Sequence, residues 1–313
     1  MSSQESSVLS PLKVGSASNA ELRSLLALLD DPDPKVASIV EERLRCCGPG
    51  IMCPLLDFAA SSPDALAKNR AESIAQDINV TTLIEEFTAL RHRIEHRERG
   101  TLEDGAFLIA RYGTPGLDTE FYKAELDALA GMLHDRIRGI HSPVEILAET
   151  NDFFFQKRGF HGNHQTFLDP DNSYINHVLD RRLGIPISLS TVYILVAGKR
   201  LGLPFTGAST PGHFLVRYDG VRSEPLFVDA FNGGIVLKRD DIRRFLYSSG
   251  IPYHESFVFP APPVAILLRM IRNLIILFQE KKNEPSKLAF EHFHAILVGK
   301  EYNGSLLEDP EGH

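Results

Sequence analysis

A serine, a histidine and an aspartate in the middle of the chain are the residue types of a nucleophile, its base and an orienting carboxylate, and their spacing would allow these roles. Ser188 falls in the first turn of a predicted helix that Pro186 opens. His213 stands where one predicted strand begins, and Asp229 ends the next predicted strand. Amide groups at a helix N-terminus carry partial positive charge, so they would stabilise an oxyanion beside Ser188. The pattern allows a nucleophile, a general base and an orienting carboxylate.

Each of these residues also has a purely structural interpretation. Serine is common at the start of a helix, where its side chain caps the backbone and contributes about 1 kcal/mol. A buried histidine commonly bonds a carboxylate, so His213 and Asp229 can form a structural pair without any turnover. From the residues alone, both interpretations stay open.

The elements that would position these residues change in type along the chain. Leucines at helical spacing begin after Asn19, a candidate helix N-cap. An apolar helix follows Pro186, and strand-like stretches lie at 214–218 and 226–230. Helical periodicity returns over 264–298. Helices on both sides of a group of strands, without βαβ alternation, predict an α+β fold.

The N-terminal helices carry a repeat-like pattern. Residues 22–58 show a helix, an Asp-Pro turn, a helix and a Gly-Pro turn, which resembles one HEAT-type repeat without a convincing second copy. The serine-rich start of the chain is typical of disorder. The sequence thus predicts five segments: a disordered tail (1–19), a helical HEAT-like region (20–145), a mixed core (146–260), C-terminal helices (261–300) and a polar tail (301–313).

Short motifs surround the three residues in a fixed order. These motifs are Gly159-Phe160-His161-Gly162-Asn163, Asn172-Ser173-Tyr174, Gly184-Ile185-Pro186-Ile187-Ser188, Pro211-Gly212-His213-Phe214 and Val228-Asp229-Ala230-Phe231-Asn232. Together they resemble the transglutaminase-like superfamily, in particular its SirB-type branch, the second transglutaminase-like core family. The resemblance implies that the mixed core is papain-like, with a helix packed on an antiparallel sheet.

The resemblance also implies roles for single residues. The superfamily's triad has a cysteine at the helix start, a histidine on one strand and an aspartate on the next. His213 and Asp229 match the last two positions, and the cysteine position falls at Ser188 or within one or two residues of it. Polar residues of the loop motifs are expected to line the cleft, with bracing of those loops as the alternative. These residues are Asn163, Tyr174, Asn176 and Asn232.

The missing cysteine decides the predicted function. No cysteine follows Cys53. A thiol beside a protonated histidine ionises, whereas a serine hydroxyl needs a base to remove its proton during attack. We therefore expect a transglutaminase-like module that binds a protein or peptide without catalysis. The alternative is a serine-dependent hydrolase or acyltransferase with Ser188 as nucleophile, His213 as base, Asp229 as orienting group and helix-start amides as the oxyanion hole.

The composition limits the kinds of partner that this chain is expected to bind and the cell compartment in which it is expected. The chain has 33 basic and 41 acidic residues and a net charge of −8, which argues against nucleic acid or an anionic membrane as partner. Only three cysteines, Cys46, Cys47 and Cys53, occur, and no signal-peptide pattern or unbroken apolar span is visible. These features predict a cytoplasmic protein.

Two close histidine pairs raise the question of a metal site. His161 and His164 form one pair, and His292 and His294 form the other. Neither pair has a third ligand at a suitable spacing, so surface histidines are the better interpretation. We expect no metal and no cofactor.

Overall fold

The computed structural model describes residues 18–222 and 224–300, and most of these residues are helical. The predicted tails lie outside the described residues, except for Ser18 and Asn19. The α-helices are α1 (Asn19–Ala27), α2 (Pro34–Cys46), α3 (Met52–Ser61), α4 (Ala65–Glu95), α5 (Thr101–Gly113), α6 (Thr119–Ile137), α7 (Pro143–Asn151), α8 (Ile175–Arg181), α9 (Pro186–Tyr193), α10 (Arg239–Ser248), α11 (Pro263–Glu280) and α12 (Glu284–Val298).

The helices begin where the sequence offers a cap or a proline. The N-cap of α1 is Ser18, one residue before the expected Asn19, and its hydroxyl accepts a hydrogen bond from the Glu21 amide. Asp33 caps α2 in the same manner, and Pro34 occupies its first turn. Such caps bond backbone amides that have no partner within the helix, and this fixes where each helix starts.

The strands form one antiparallel sheet and one short parallel pair. The strands are β1 (His161–Gly162), β2 (Leu183–Gly184), β3 (Phe205–Thr210), β4 (His213–Tyr218), β5 (Leu226–Asp229), β6 (Ile235–Leu237) and β7 (Pro260–Ala261). The sheet has the order β6-β5-β4-β3-β7, and β1 pairs with β2 in parallel. A tight turn at Pro211-Gly212 joins β3 to β4, and Gly212 has the positive φ, 70°, that such a turn favours.

The chain divides into two compact units, with the boundary after Thr82 inside α4. In the first unit, α1, α2, α3 and the start of α4 enclose a core of aliphatic side chains. Its largest fully enclosed members are Leu29, Leu44, Leu55 and Ile74. Burial of such side chains is worth about 1.5–3 kcal/mol each, so the unit has a core of its own. The HEAT-like interpretation of this region stays a prediction.

In the second unit, a helix packs on the antiparallel sheet. Helix α9 contacts β4 and continues as a π-helical segment, Ile194–Arg200. Helix α11 contacts α5, α9 and α12. The predicted α+β class is therefore confirmed, including the helix on the sheet and the helices at the end of the chain. Among the described residues, no helix is both long and apolar enough to span a membrane.

Candidate functional site

Ser188 lies at the start of α9, but its hydroxyl faces the backbone. Pro186 opens the helix, and Ser188 is the third helical residue. Its Oγ accepts a hydrogen bond from the Ile185 amide at 3.1 Å and donates one to the Asn172 carbonyl oxygen at 2.5 Å. The side chain is fully buried. Ser188 thus caps its own helix and ties it to the preceding loop.

His213 and Asp229 meet, as the sequence predicts. They occupy the first residue of β4 and the last residue of β5. His213 Nε2 lies 2.8 Å from Asp229 Oδ1, and the two side chains are 17% and 10% exposed. At this distance the ring nitrogen and the carboxylate oxygen are in direct polar contact. Nδ1 of His213 makes no hydrogen bond to any other described residue.

The turn after β5 holds the Asp229 carboxylate. The amides of Phe231 and Asn232 each donate to Oδ1 at 3.1 Å, and the Asn232 side chain donates to Oδ2 at 2.7 Å. Burial alone would raise the pKa of Asp229. The contact with His213 and the hydrogen bonds from Asn232 outweigh burial, and the pKa lies below its ordinary value of 3.8. Asp229 is therefore a carboxylate that its own turn holds in place next to His213.

The other polar candidates brace the surrounding loops. The Asn163 side chain donates to Asn172 Oδ1 at 3.0 Å and to Thr166 Oγ1 at 2.8 Å. Asn176 donates to Thr114 Oγ1 at 3.1 Å. Tyr174 is buried against Gly113 of α5. The structure places Asn232 beside Asp229, and none of Asn163, Tyr174, Asn176 and Asn232 is among the residues that line the cleft described next.

An open cleft of about 610 Å³ lies beside His213, between the start of α9 and α11. The start of α9 presents Ile185, Pro186 and Ile187 to this cleft. All three side chains are apolar, and Ser188 is not part of the lining. The cleft therefore has a histidine with its carboxylate, but no nucleophilic side chain at the helix start.

Sequence reasoning did not assign a role to Arg269 on α11, whose charged side chain lines this cleft. Its Nη1 donates to Ser209 Oγ at 2.8 Å, and its Nη2 donates to the His213 carbonyl oxygen at 3.0 Å. Burial, with repulsion from Arg272, lowers the pKa of Arg269 below its ordinary value. The available signal was the presence of Arg269, Arg272 and Asn273 in a largely apolar helical run, which indicated only that this helix cannot span a membrane.

The histidine pairs do not assemble a metal centre in the part of the chain that the structure describes. No group of three or more His, Cys, Asp or Glu side chains suited to a metal ion occurs there. His161 Nδ1 contacts the Gly159 carbonyl oxygen at 2.7 Å, and Arg272 Nε donates to His294 Nε2 at 3.1 Å. These histidines have local backbone and side-chain partners.

A helix start packed on an antiparallel sheet, with a histidine on one strand and an aspartate on the next, defines a transglutaminase-like core. Comparison with known proteins agrees. The family model for the transglutaminase-like superfamily, in its second core form, matches residues 120–272. Over this region the chain is similar to the transglutaminase-like superfamily and, within it, to proteins of the SirB-type branch. No solved structure matches the chain.

Three relatives illustrate the range of similar proteins. The chain is 40% identical to a UPF0162 protein of Xylella fastidiosa over 178 residues, which cover 54% of this chain and 62% of that protein. It is 27% identical to F-box only protein 21 of Mus musculus over 203 residues, or 56% and 32% of the two chains. It is 25% identical to Protein SirB1 of Salmonella typhimurium over 130 residues, or 42% and 48%. In each case the match covers less than two thirds of the relative.

Proposed function

We propose that this chain is a cytoplasmic transglutaminase-like module that binds a protein or peptide in the cleft beside His213, without catalysis. The observation that carries the proposal is the start of α9. This helix offers only apolar side chains to the cleft, while the hydroxyl at its start, that of Ser188, bonds Asn172 and Ile185. A base without an adjacent nucleophile cannot perform covalent acyl transfer.

The cleft itself supports a binding role. Its volume of about 610 Å³ falls within the range of about 300–1,000 Å³ that is usual for ligand sites. Its walls combine apolar side chains with a few polar groups, as binding sites generally do. The matched region makes up 62% of one relative and 32% of another, which suits a module joined to different sequences.

Binding in the cleft can be tested by filling it. We would select peptides from a random library against the full chain and measure their affinities by fluorescence anisotropy. Ala265→Trp places a large ring in the cleft and should abolish binding. Ala128→Trp, at an exposed position of α6 outside the lining, is the matched control and should bind normally. Peptides that bind the Ala265→Trp chain equally well would show that the cleft is not the site.

The absence of catalysis needs a separate experiment. A fluorophosphonate probe labels serine nucleophiles that a histidine activates. We expect no labelling of the wild-type chain above that of His213→Ala. Labelling that disappears in both Ser188→Ala and His213→Ala, with both variants folded, would instead establish the serine-dependent hydrolase.

A further inference from the structure

Arg269 has hydrogen-bonding capacity that the described residues do not use. A guanidinium group has five N–H donors and stays charged in proteins. Two of the Arg269 donors bond Ser209 and the His213 carbonyl oxygen. No carboxylate of the described residues lies within salt-bridge distance of this side chain, and the side chain lines the cleft. A partly buried positive charge thus faces the cleft, with the Phe214 ring 5.7 Å away and no counter-ion among the described residues.

Two other partly buried arginines have carboxylate partners. Arg200 and Arg217 have side chains that are each 15% exposed, and both are paired. Arg200 bonds Glu103 and Asp127, and Arg217 bonds Asp219. A charge removed from water generally requires such a partner, because desolvation is costly.

The lining of the cleft also contains exposed apolar side chains. Three large apolar side chains in the lining are exposed: Phe167 by 47%, Leu168 by 51% and Ile276 by 55%. Exposed apolar groups that cluster around a concave surface are typical of an interaction site. The chain as a whole has a net charge of −8, so a cationic cleft with an apolar rim is a local feature.

We propose that the cleft binds a peptide through a carboxylate that Arg269 holds, with an apolar side chain of the peptide against Phe167, Leu168 and Ile276. This inference rests on the proposed peptide-binding function and specifies the peptide. A single negative charge fits better than a doubly charged phosphoryl group, because the lining holds two arginines and one acidic residue, Arg269, Arg272 and Glu280, and thus one net positive charge.

The carboxylate can come from an Asp or Glu side chain or from the C-terminus of a peptide. Three octapeptide libraries rich in apolar residues separate these sources. The first has one internal acid and an amidated C-terminus, the second has no acidic side chain and a free C-terminus, and the third has neither carboxylate. We expect binders from the first or the second library, and affinities at least about tenfold weaker from the third, since bonds to a charged group are the stronger ones.

Variants of the full chain then assign the effect to Arg269. Arg269→Gln should reduce the affinity for carboxylate peptides to that for their amide counterparts, while Arg138→Gln, an exposed arginine outside the lining, should have no effect. Ile276→Glu changes a side chain that is 55% exposed, so its effect on stability should be small, and it should weaken the binding of carboxylate peptides more than that of amide peptides.

The outcomes separate this inference from the proposed function. One outcome is that amide peptides bind as tightly as carboxylate peptides, that they compete for the cleft lined by Ala265, and that Arg269→Gln leaves their affinity unchanged. That outcome overturns the carboxylate proposal and leaves the proposal of peptide binding in place. If no library yields a peptide that Ala265→Trp excludes, both proposals fail. If carboxylate peptides bind more tightly than amides, and Arg269→Gln removes this preference while Arg138→Gln keeps it, the result supports both the peptide-binding function and the carboxylate inference.

Discussion

Ser188 and Ser190 lie two positions apart on α9 and are both fully buried, but only one of their hydroxyls is hydrogen-bonded. Ser188 bonds the backbone of Asn172 and Ile185. Ser190 Oγ has no hydrogen-bond partner among the described residues. Because a buried polar group stabilises only when it is bonded, the two serines should respond differently to the same substitution.

We predict that Ser188→Ala lowers the free energy of unfolding by about 0.5–1.5 kcal/mol, because it removes the bond from Ser188 to the Asn172 carbonyl oxygen, while the Ile185 amide still donates to that oxygen. Ser190→Ala removes an unbonded hydroxyl and should leave the stability unchanged or raise it. Urea unfolding of both variants measures the difference. Equal effects of the two substitutions would contradict the capping role of Ser188.

His294 provides a second test at the scale of one residue. Burial, together with Arg272 and Lys300, lowers its pKa from 6.5 to about 4. A histidine with a depressed pKa in the folded state stabilises the fold in its neutral form. This stability is fully present above about pH 6.5 and is lost as the pH falls towards 4, because the unfolded chain takes up the proton first.

We therefore predict that wild-type stability falls between pH 6.5 and 4 more steeply than that of His294→Gln. Urea unfolding at half-unit pH intervals measures both slopes. His134, which is exposed on α6, supplies the matched control, and His134→Gln should keep the wild-type slope. If the stability of His294→Gln falls with pH as steeply as that of the wild type, the pKa of His294 in the wild type is not depressed.

Single residues also show what the sequence could and could not predict. The pairing of His213 with Asp229 was predicted, because two adjacent strands bring these residues together independently of the conformation of the connecting loops. Arg269 was not predicted, because its partners on β3 and β4 are distant in sequence. The orientation of Ser188 depends on the Asn172 carbonyl, which only the folded loop supplies.

At the scale of elements, the short pair β1–β2 supports the turn that carries Asp229 and Asn232. Gly162 of β1 donates its amide hydrogen to the Phe231 carbonyl oxygen at 3.1 Å. A Cβ at this position would lie only 2.5 Å from that oxygen and 2.5 Å from the Phe231 ring. The close approach of β1 to the turn thus requires glycine at Gly162.

We predict that Gly162→Ala lowers the free energy of unfolding by about 1–3 kcal/mol, since the turn must shift away from the added methyl group. Gly131→Ala is the matched control, because this glycine lies within α6 with open space around it. It should raise the stability by about 0.5–1 kcal/mol. Urea unfolding measures both, and a neutral Gly162→Ala would show that the turn is not held by β1.

The elements differ in how well their sequences reveal them. The long helices α5, α6 and α11 follow from apolar residues at helical spacing. Strands β1, β2 and β7 have two residues each, too few for any periodicity. Strand β3 contains Gly207, Ala208 and Ser209, which lack the branched and aromatic side chains that mark strands. Its place in the sheet comes from pairing with β4, which is a tertiary effect.

At the scale of the second unit, aromatic side chains join helices from before and after the sheet. Phe87 stacks on Phe293 at 4.7 Å, and Tyr112 lies 4.6 Å from Phe290. Phe290 also stacks on Phe278, near the end of α11. Because α11 forms one wall of the cleft, this cluster holds the Arg269 side of the cleft in place.

We predict that Phe290→Ala costs about 3–5 kcal/mol, as expected for a fully buried aromatic ring. Phe245→Ala, at a position that is 50% exposed on α10, should change the stability by less than about 0.5 kcal/mol. The helices on either side of the sheet share this cluster, so loss of the near-ultraviolet circular dichroism of the tyrosines, which all follow Thr82, and loss of peptide binding should coincide in urea. Loss of binding at a lower urea concentration than loss of the tyrosine signal would instead mean that α11 and α12 detach as an independent unit, and the cleft would then depend on a local equilibrium.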